Sequence, residues 1–496
     1  MGYLSSLLPS GKVSFHHAPN ALRLARKSCA STPSSPATQT KADEEEYITF
    51  PDLCKSSTPE KCQLNPLLFN GHLQTAYTVV KNDDVPIYYK RWTFTANNPA
   101  YAGSFDVDFV VPPYENSLTE DTAPTAQETI NQTPKDTAPP PHLLPPRTSF
   151  YTAEEFAALP DATCTKPMLV ILHGLSGGSH EIYLRHVIAP LLEEGWAACV
   201  LNFRGCAKSR VTSPILYNAR ATWDVRQIVG WVREAFPARK LFGIGFSLGA
   251  NILTNYLGEE GDSCPLSAGV ICSSPWNLEV SSLALQRTWI GLEMYSKTMG
   301  NNMKNLFEQH VDQISQHPRV DVERVRNIKY LHEFDRALQG PVWGYPTETA
   351  YYRDASSVDS IFAIKVPFFV INAEDDPISV KEALPYEEIK QTPYGVMCTT
   401  SWGGHLSWFE LGGSRWFTKP VTNFLTKMAT EVDLDAPFKI EVGNDCAELN
   451  SKQQQVDLPQ IGPTPDFVPM RRKLALPVFE YRGTDIGKSS AVDVSN

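Results

Sequence analysis

The sequence predicts an α/β fold in which helices cover both faces of a mostly parallel central sheet and a small helical cap is inserted. Three observations carry this. Short apolar runs alternate with helix-spaced segments from residue 168 onward. The turn Gly245-Phe246-Ser247-Leu248-Gly249 joins one such run directly to a helical segment. A stretch at about 280–350, rich in Met, Gln, Asn and Arg, then breaks the alternation before it resumes.

Residues 168–172, 197–203, 241–245, 268–272 and 366–371 are apolar runs of strand length. Between them lie helical stretches up to Leu192, over 223–236 and over 250–257. Strands that are apolar at every position are buried on both faces, which is the condition of a parallel sheet sandwiched between helices. Upstream, Phe-Asp-Val-Asp-Phe-Val-Val at 105–111 alternates apolar and acidic residues as a half-buried strand would. The cap at 280–350 would sit above the strand C-termini, where such sheets bind ligands.

Outside this core the chain is polar. Residues 1–46 read as a disordered leader; its first 42 residues lack Asp and Glu and carry Lys12, Arg23, Arg26, Lys27 and Lys41, a balance that also suits a transit peptide. Met1-Gly2-Tyr3-Leu4-Ser5-Ser6 fits a loose myristoylation pattern. Residues 113–150 read as a flexible Pro-rich insertion, and 431–496 as a loose polar tail. These limits leave 47–430 as the folded domain.

The net charge of −11 argues against nucleic-acid binding, which needs clustered Lys and Arg. Ten scattered cysteines without a C-x-x-C pair read as reduced thiols, hence an intracellular compartment, cytoplasmic, mitochondrial or lipid-associated. No apolar run approaches membrane-spanning length, so any lipid association would be peripheral. With no H-E-x-x-H, Walker loop or dinucleotide fingerprint, no metal or nucleotide cofactor is expected.

The chemistry is concentrated in three places. A serine on a strained strand-to-helix turn is lifted above the sheet, and Gly245 and Gly249 let strand and helix approach, so Ser247 is the candidate nucleophile. A serine hydroxyl needs a base oriented by a carboxylate, in the chain order Ser, Asp, His. The turn after 368–373 offers Asp375 and Asp376, of which Asp376, beside Pro377-Ile378, suits the turn better. His405 follows in Gly403-Gly404-His405-Leu406. The developing oxyanion needs backbone N–H donors, expected from Leu248 after the nucleophile and Leu175 in His173-Gly174-Leu175-Ser176-Gly177-Gly178.

Several segments together resemble the YheT-type branch of the α/β-hydrolases, the fourth AB-hydrolase family. They are Asn65-Pro66, Asn70-Gly71-His72-Leu73-Gln74-Thr75, His173-Gly174-Leu175 with Gly177-Gly178-Ser179-His180-Glu181, Asn202-Phe203-Arg204-Gly205-Cys206, the Ser247 turn and Gly403-Gly404-His405. The resemblance spans about residues 65–425. It implies an α/β-hydrolase fold, the triad Ser247, Asp376 and His405, and carboxylic-ester hydrolysis or acyl transfer to an alcohol, with acyl-CoA as an alternative acyl donor. The Pro-rich insertion and polar tail look more like the fungal members, which make and cleave medium-chain fatty-acid ethyl esters, than like the animal members, which act on phospholipid acyl chains. It gives His72 no chemistry; that ring is expected to bond within its own N-terminal segment. A non-catalytic binding protein on the same fold is the alternative from another class.

Overall fold

The computed structural model describes residues 10–27, 46–81, 84–114 and 144–440. At its centre is a ten-stranded sheet. In chain order its strands are β1 (Val13–His17), β2 (Tyr88–Thr95), β3 (Ser104–Val111), β4 (Thr148–Phe150), β5 (Met168–Leu172), β6 (Ala197–Asn202), β7 (Leu241–Phe246), β8 (Ala268–Cys272), β9 (Phe368–Ala373) and β10 (Gly395–Thr400). Across the sheet they run β1-β10-β9-β8-β7-β5-β6-β3-β2-β4. Every pair from β10 to β6 is parallel. β1 and β3 pair antiparallel with β10 and β6 at the two ends of this parallel block.

The main helices are α1 (Phe50–Ser57), α2 (Gly71–Val80), α3 (Ile182–Glu193), α4 (Thr222–Ala235), α5 (Leu248–Glu260), α6 (Leu278–Arg287), α7 (Lys297–Gln309), α8 (Glu348–Ala355) and α9 (Thr418–Thr430). Successive strand residues face opposite sides, so one strand feeds two cores. Val170 and Leu172 of β5 pack with Ile228 and Val232 of α4 and Leu253 of α5. Leu169 and Ile171 pack on the other face with Leu184 and Ile188 of α3 and Phe424 and Leu425 of α9. Between β8 and β9 the chain passes through α6, a π-helical turn at Ile290–Ser296, α7, further short helices and α8. This is the segment where the sequence places a cap.

Four readings at the edges need correction. Within the expected leader, β1 extends the sheet beside β10, and Leu22–Ala25 pairs with Tyr47–Thr49; Leu22 and Leu24 are fully buried, so their alternation is that of a half-buried strand. Residues 1–9 and 28–45, including the myristoylation-like start, lie outside the described residues. The Pro-rich insertion ends in β4, paired with β2, while 115–143 lie outside the described residues. The expected tail begins with Val432, which bridges to Arg26, and with Lys439–Ile440 paired to Arg23 and Leu22; beyond residue 440 it lies outside the described residues.

The fourth correction concerns β3, which is not half-buried. Asp106 and Asp108 are 5% and 0% exposed. Arg91 Nε and Nη2 donate to both oxygens of Asp108 at 2.6 and 2.9 Å, and Asp108 also accepts from Ser179 Oγ and Asn202 Nδ2. A buried carboxylate is tolerable only when paired and hydrogen-bonded in this way. The network ties Ser179 and Asn202, two residues of the family-like motifs, to one another beneath the loop that leaves β5.

Candidate active site

Ser247 lies between β7 and α5 with φ +52° and ψ −118°, a backbone conformation costly for any residue with a Cβ. Close packing imposes it. A Cβ on Gly245 would come within 2.5 Å of the Gly249 carbonyl, and one on Gly249 within 2.4 Å of the Leu172 and His173 carbonyls. Only glycine at both positions lets β7, α5 and the end of β5 meet this closely. The turn is fastened by the Ser247 N–H, which donates to the Cys272 carbonyl at 2.9 Å.

Ser247 Oγ stands 2.8 Å from His405 Nε2, and His405 Nδ1 stands 2.8 Å from Asp376 Oδ2. The other oxygen of Asp376 accepts from the Ile378 and Ser379 N–H groups at 2.8 and 2.9 Å, which fixes the carboxylate plane. Serine, imidazole and carboxylate thus form one hydrogen-bonded chain, with Asp376 rather than Asp375 facing the ring. Asp375 is turned the other way: its Oδ1 accepts the Gly404 N–H at 3.0 Å, and burial pushes its carboxyl up to about 6.

Leu175, the expected oxyanion donor of this loop, lines the same cavity as Ser247. The Gly174 N–H donates to the Tyr183 hydroxyl and the Ser176 N–H to the Tyr217 hydroxyl, at 2.8 and 3.0 Å. The two tyrosines hold the loop and leave the Leu175 N–H between occupied neighbours. His173 is a structural ring: Nδ1–H donates to the Gly174 carbonyl, Nε2 accepts the Phe203 N–H, and burial lowers it to about 3, so it stays neutral.

The segment Asn70–Thr75, to which the sequence reading gives no role, holds the histidine loop. Asn70 caps α2 by accepting from the Leu73 N–H. From that helix Thr75 Oγ1 accepts the His405 N–H at 2.9 Å while donating to the Gly71 carbonyl at 2.7 Å. Gln74 Oε1 accepts the Phe409 N–H at 2.7 Å. A Cβ on Gly71 would lie 1.9 Å from the Asp375 carbonyl oxygen, so only glycine fits there. The clamp is needed because Gly404, Leu406 and Trp408 all have positive φ, a strained loop that must be held from outside. Trp408 closes it from within, its indole donating to Thr400 Oγ1. No signal short of contact geometry links residue 75 to residue 405.

A positioning role for Thr75 has a measurable consequence. Thr75→Val leaves the His405 N–H without its acceptor and is expected to lower kcat roughly tenfold with KM little changed. Thr75→Ser, which keeps the hydroxyl, should restore most of the rate; an equal loss in both variants would make the role one of packing alone.

His72 departs from expectation. Its Nδ1 lies 2.9 Å from the Tyr295 hydroxyl and its ring stacks on Tyr295, in the π-helical turn between α6 and α7. The ring therefore bridges α2 to the segment after α6 instead of bonding within its own segment.

Ser247 opens into a cavity with about 100 Å³ of room for water-sized solutes. Much of its lining is apolar, including Leu175, Leu248, Leu278, Leu285, Met299 and Met303. Among the described residues no group of His, Cys, Asp and Glu is placed to hold a metal, and no helix is long and apolar enough to cross a membrane. The eight cysteines among the described residues are free thiols; burial pushes Cys199 and Cys206 up to about 12, so both stay protonated and inert.

Residues 167–407 match the family model for the alpha/beta hydrolase fold. A monoacylglycerol lipase of Saccharomyces cerevisiae is 35% identical over 80% of this chain and 88% of its own length. The chain belongs to the α/β-hydrolase family. Within it, this hydrolase is also 30% identical to the medium-chain fatty acid ethyl ester synthase/esterase 2 of S. cerevisiae, over 78% of this chain and 91% of that protein, which sets it on the YheT-type branch. A phospholipase of Mus musculus is 32% identical over a shorter stretch, 50% of this chain and 59% of its own length.

Proposed function

We propose that the hydrolase cleaves carboxylic esters of medium-chain fatty acids through an acyl-enzyme on Ser247, and forms esters when an alcohol replaces water. The observation that carries this reading is the hydrogen-bonded chain Ser247–His405–Asp376, whose serine opens into a largely apolar cavity. The names of the two yeast relatives, a monoacylglycerol lipase and an ethyl ester synthase/esterase, support fatty esters as the substrate class.

In the proposed reaction His405 Nε2 takes the Ser247 proton as Oγ bonds to the ester carbonyl carbon. The negative charge moves onto the carbonyl oxygen, which the Leu175 and Leu248 N–H groups would hold. His405 then gives its proton to the departing alkoxide, the C–O bond breaks and the acyl-enzyme remains. Water attacks next, His405 taking its proton and returning it to Ser247 Oγ, and the fatty acid leaves. An alcohol in place of water yields a new ester, and acyl-CoA could acylate Ser247 in the first step. Asp376 holds the ring in the tautomer with Nε2 free to accept and stabilises the imidazolium. The helices between β8 and β9 act as the cap, and contact with a lipid surface from an intracellular compartment suits water-insoluble esters.

The test is turnover of decanoyl ethyl ester, monodecanoylglycerol and decanoyl-CoA, each with and without ethanol, beside fluorophosphonate labelling of Ser247. Ester cleavage with labelling at Ser247 supports the reading, and ethyl ester made from decanoyl-CoA and ethanol supports transfer. Folded protein that neither labels nor cleaves would leave a hydrolase-fold binding protein.

A further inference from the structure

A helix on a protein surface ordinarily turns its apolar side to the core and its polar side to water. α2 does the reverse. Its inward side chains are polar and hold the histidine loop: Gln74 and Thr75 accept the Phe409 and His405 N–H groups, and Thr78 Oγ1 lies 3.1 Å from Ser407 Oγ. Its outward side chains include Leu73, Ala76, Val79 and Val80, which at about 3.6 residues per turn share an arc of roughly 120°. Val79 and Val80 are 89% and 76% exposed. Single exposed apolar residues are ordinary, but a stripe of them marks a surface that something covers.

A second apolar group adjoins the stripe. Trp289, just before the π-helical turn Ile290–Ser296, is 72% exposed, and Met294 within the turn is 55% exposed. The two groups meet where Tyr295, next to Met294, stacks on His72, next to Leu73. This seam lies beside the triad, for burial and the nearby Asp376 carboxylate push the Tyr295 hydroxyl up to about 12. The same stretch of chain also walls the Ser247 cavity, through Leu285 of α6 and Ser296 at the end of the turn. One side of it therefore faces the reaction while the other carries the exposed apolar side chains.

Charge selects the occupant. Residues 62–80 contain no Asp, Glu, Lys or Arg. Residues 280–296 contain one base, Arg287, and one acid, Glu293, which Lys297 and the Tyr330 hydroxyl hold. Anionic membranes are bound through clustered Lys and Arg, and they repel a chain of net charge −11. A protein interface pairs its apolar centre with Arg and hydrogen-bonding groups, and the outward stripe of α2 has none to give. A neutral lipid surface asks for neither, and an exposed Trp suits its boundary with water.

We propose that the outward face of α2 and the π-helical turn form one docking surface for an electrically neutral lipid surface, set beside the Ser247 cavity so that an ester enters from lipid without crossing water. The delivery of ester rests on the esterase reading above; the docking does not.

The first measurement is co-flotation of the full chain with vesicles of dialkyl-ether phosphatidylcholine, which is zwitterionic and holds no carboxylic ester, and with the same vesicles doped with anionic ether-linked phosphatidylserine. Wild type should float with the neutral vesicles and gain little from doping. Val79→Ser, Val80→Ser and Trp289→Ser should each lower partitioning about tenfold, the effect of leaving one large apolar side chain unburied. The second measurement is turnover of decanoyl ethyl ester carried in the neutral vesicles, as a ratio over turnover of a water-soluble butyryl ester; the ratio should fall in parallel. No flotation of wild type with neutral vesicles, flotation with anionic vesicles only, or undiminished flotation of all three variants would overturn the docking surface. So would a dimer in sedimentation equilibrium that the three variants dissociate, since a second copy would then be the occupant. Flotation that the variants lose, without cleavage of either ester by wild type, would keep the docking surface and overturn the hydrolase reading. Cleavage of the soluble ester without flotation would do the converse. The three sites are substituted separately, so one variant that does not fold leaves two to carry the test.

Discussion

Ser247→Ala is expected to lower kcat on a medium-chain ester by about 10⁶-fold, and His405→Ala by a similar factor, with the double variant no worse than either single one. In the proposed mechanism the hydroxyl and the ring act as one unit: without Oγ there is nothing to acylate, and without Nε2 no group takes the proton that makes Oγ nucleophilic. Alanine retains the Cβ that the strained turn already accommodates, so the fold and the neighbouring N–H groups should persist. Those groups alone still favour the tetrahedral intermediate, and a residual rate roughly 10³-fold above the uncatalysed reaction should remain. The measurement is steady-state turnover of decanoyl ethyl ester, with circular dichroism on each variant to confirm folding. A Ser247→Ala rate within tenfold of wild type would place the nucleophile elsewhere.

The features legible in the sequence are those whose cause is local. The parallel sheet announces itself because its strands are apolar on both faces, and Gly245 and Gly249 mark the turn at Ser247 because close packing there admits no Cβ. The choice of Asp376 over Asp375 rested on the neighbouring Pro377, and in the structure Asp376 is the acid that faces His405. What stayed hidden depends on partners distant in sequence. Asp106 and Asp108 look solvent-facing until Arg91, Ser179 and Asn202 arrive from three other segments to pair with them. Val13–His17 carries too little apolar content to declare itself and becomes a strand because β10 offers it an open edge. The clamp of Gln74 and Thr75 on the histidine loop joins residues more than three hundred positions apart, which no periodicity or spacing rule can reach.

The adjacent acids separate most clearly on substitution. Asp376→Asn is expected to lower kcat by about 10⁴-fold with the fold intact. The amide can still accept from the Ile378 and Ser379 N–H groups, but it turns an NH₂ toward His405 Nδ1, which forces the proton onto Nε2 and leaves the ring unable to accept from Ser247. Asp375→Asn preserves an acceptor for the Gly404 N–H and should cost only a few-fold. Its signature lies in stability. Burial raises the folded-state value of Asp375 from the ordinary 3.8 to about 6, so the folded protein binds that proton more tightly than the unfolded chain. The stabilisation this gives is fully present below about pH 3.8 and is lost as pH rises through 6. Asp375→Asn escapes that loss, and its melting temperature relative to wild type should rise between pH 4 and pH 8, a trend that thermal unfolding across this range would show. A 10⁴-fold loss in Asp375→Asn beside near-normal turnover in Asp376→Asn would transfer the orienting role to Asp375.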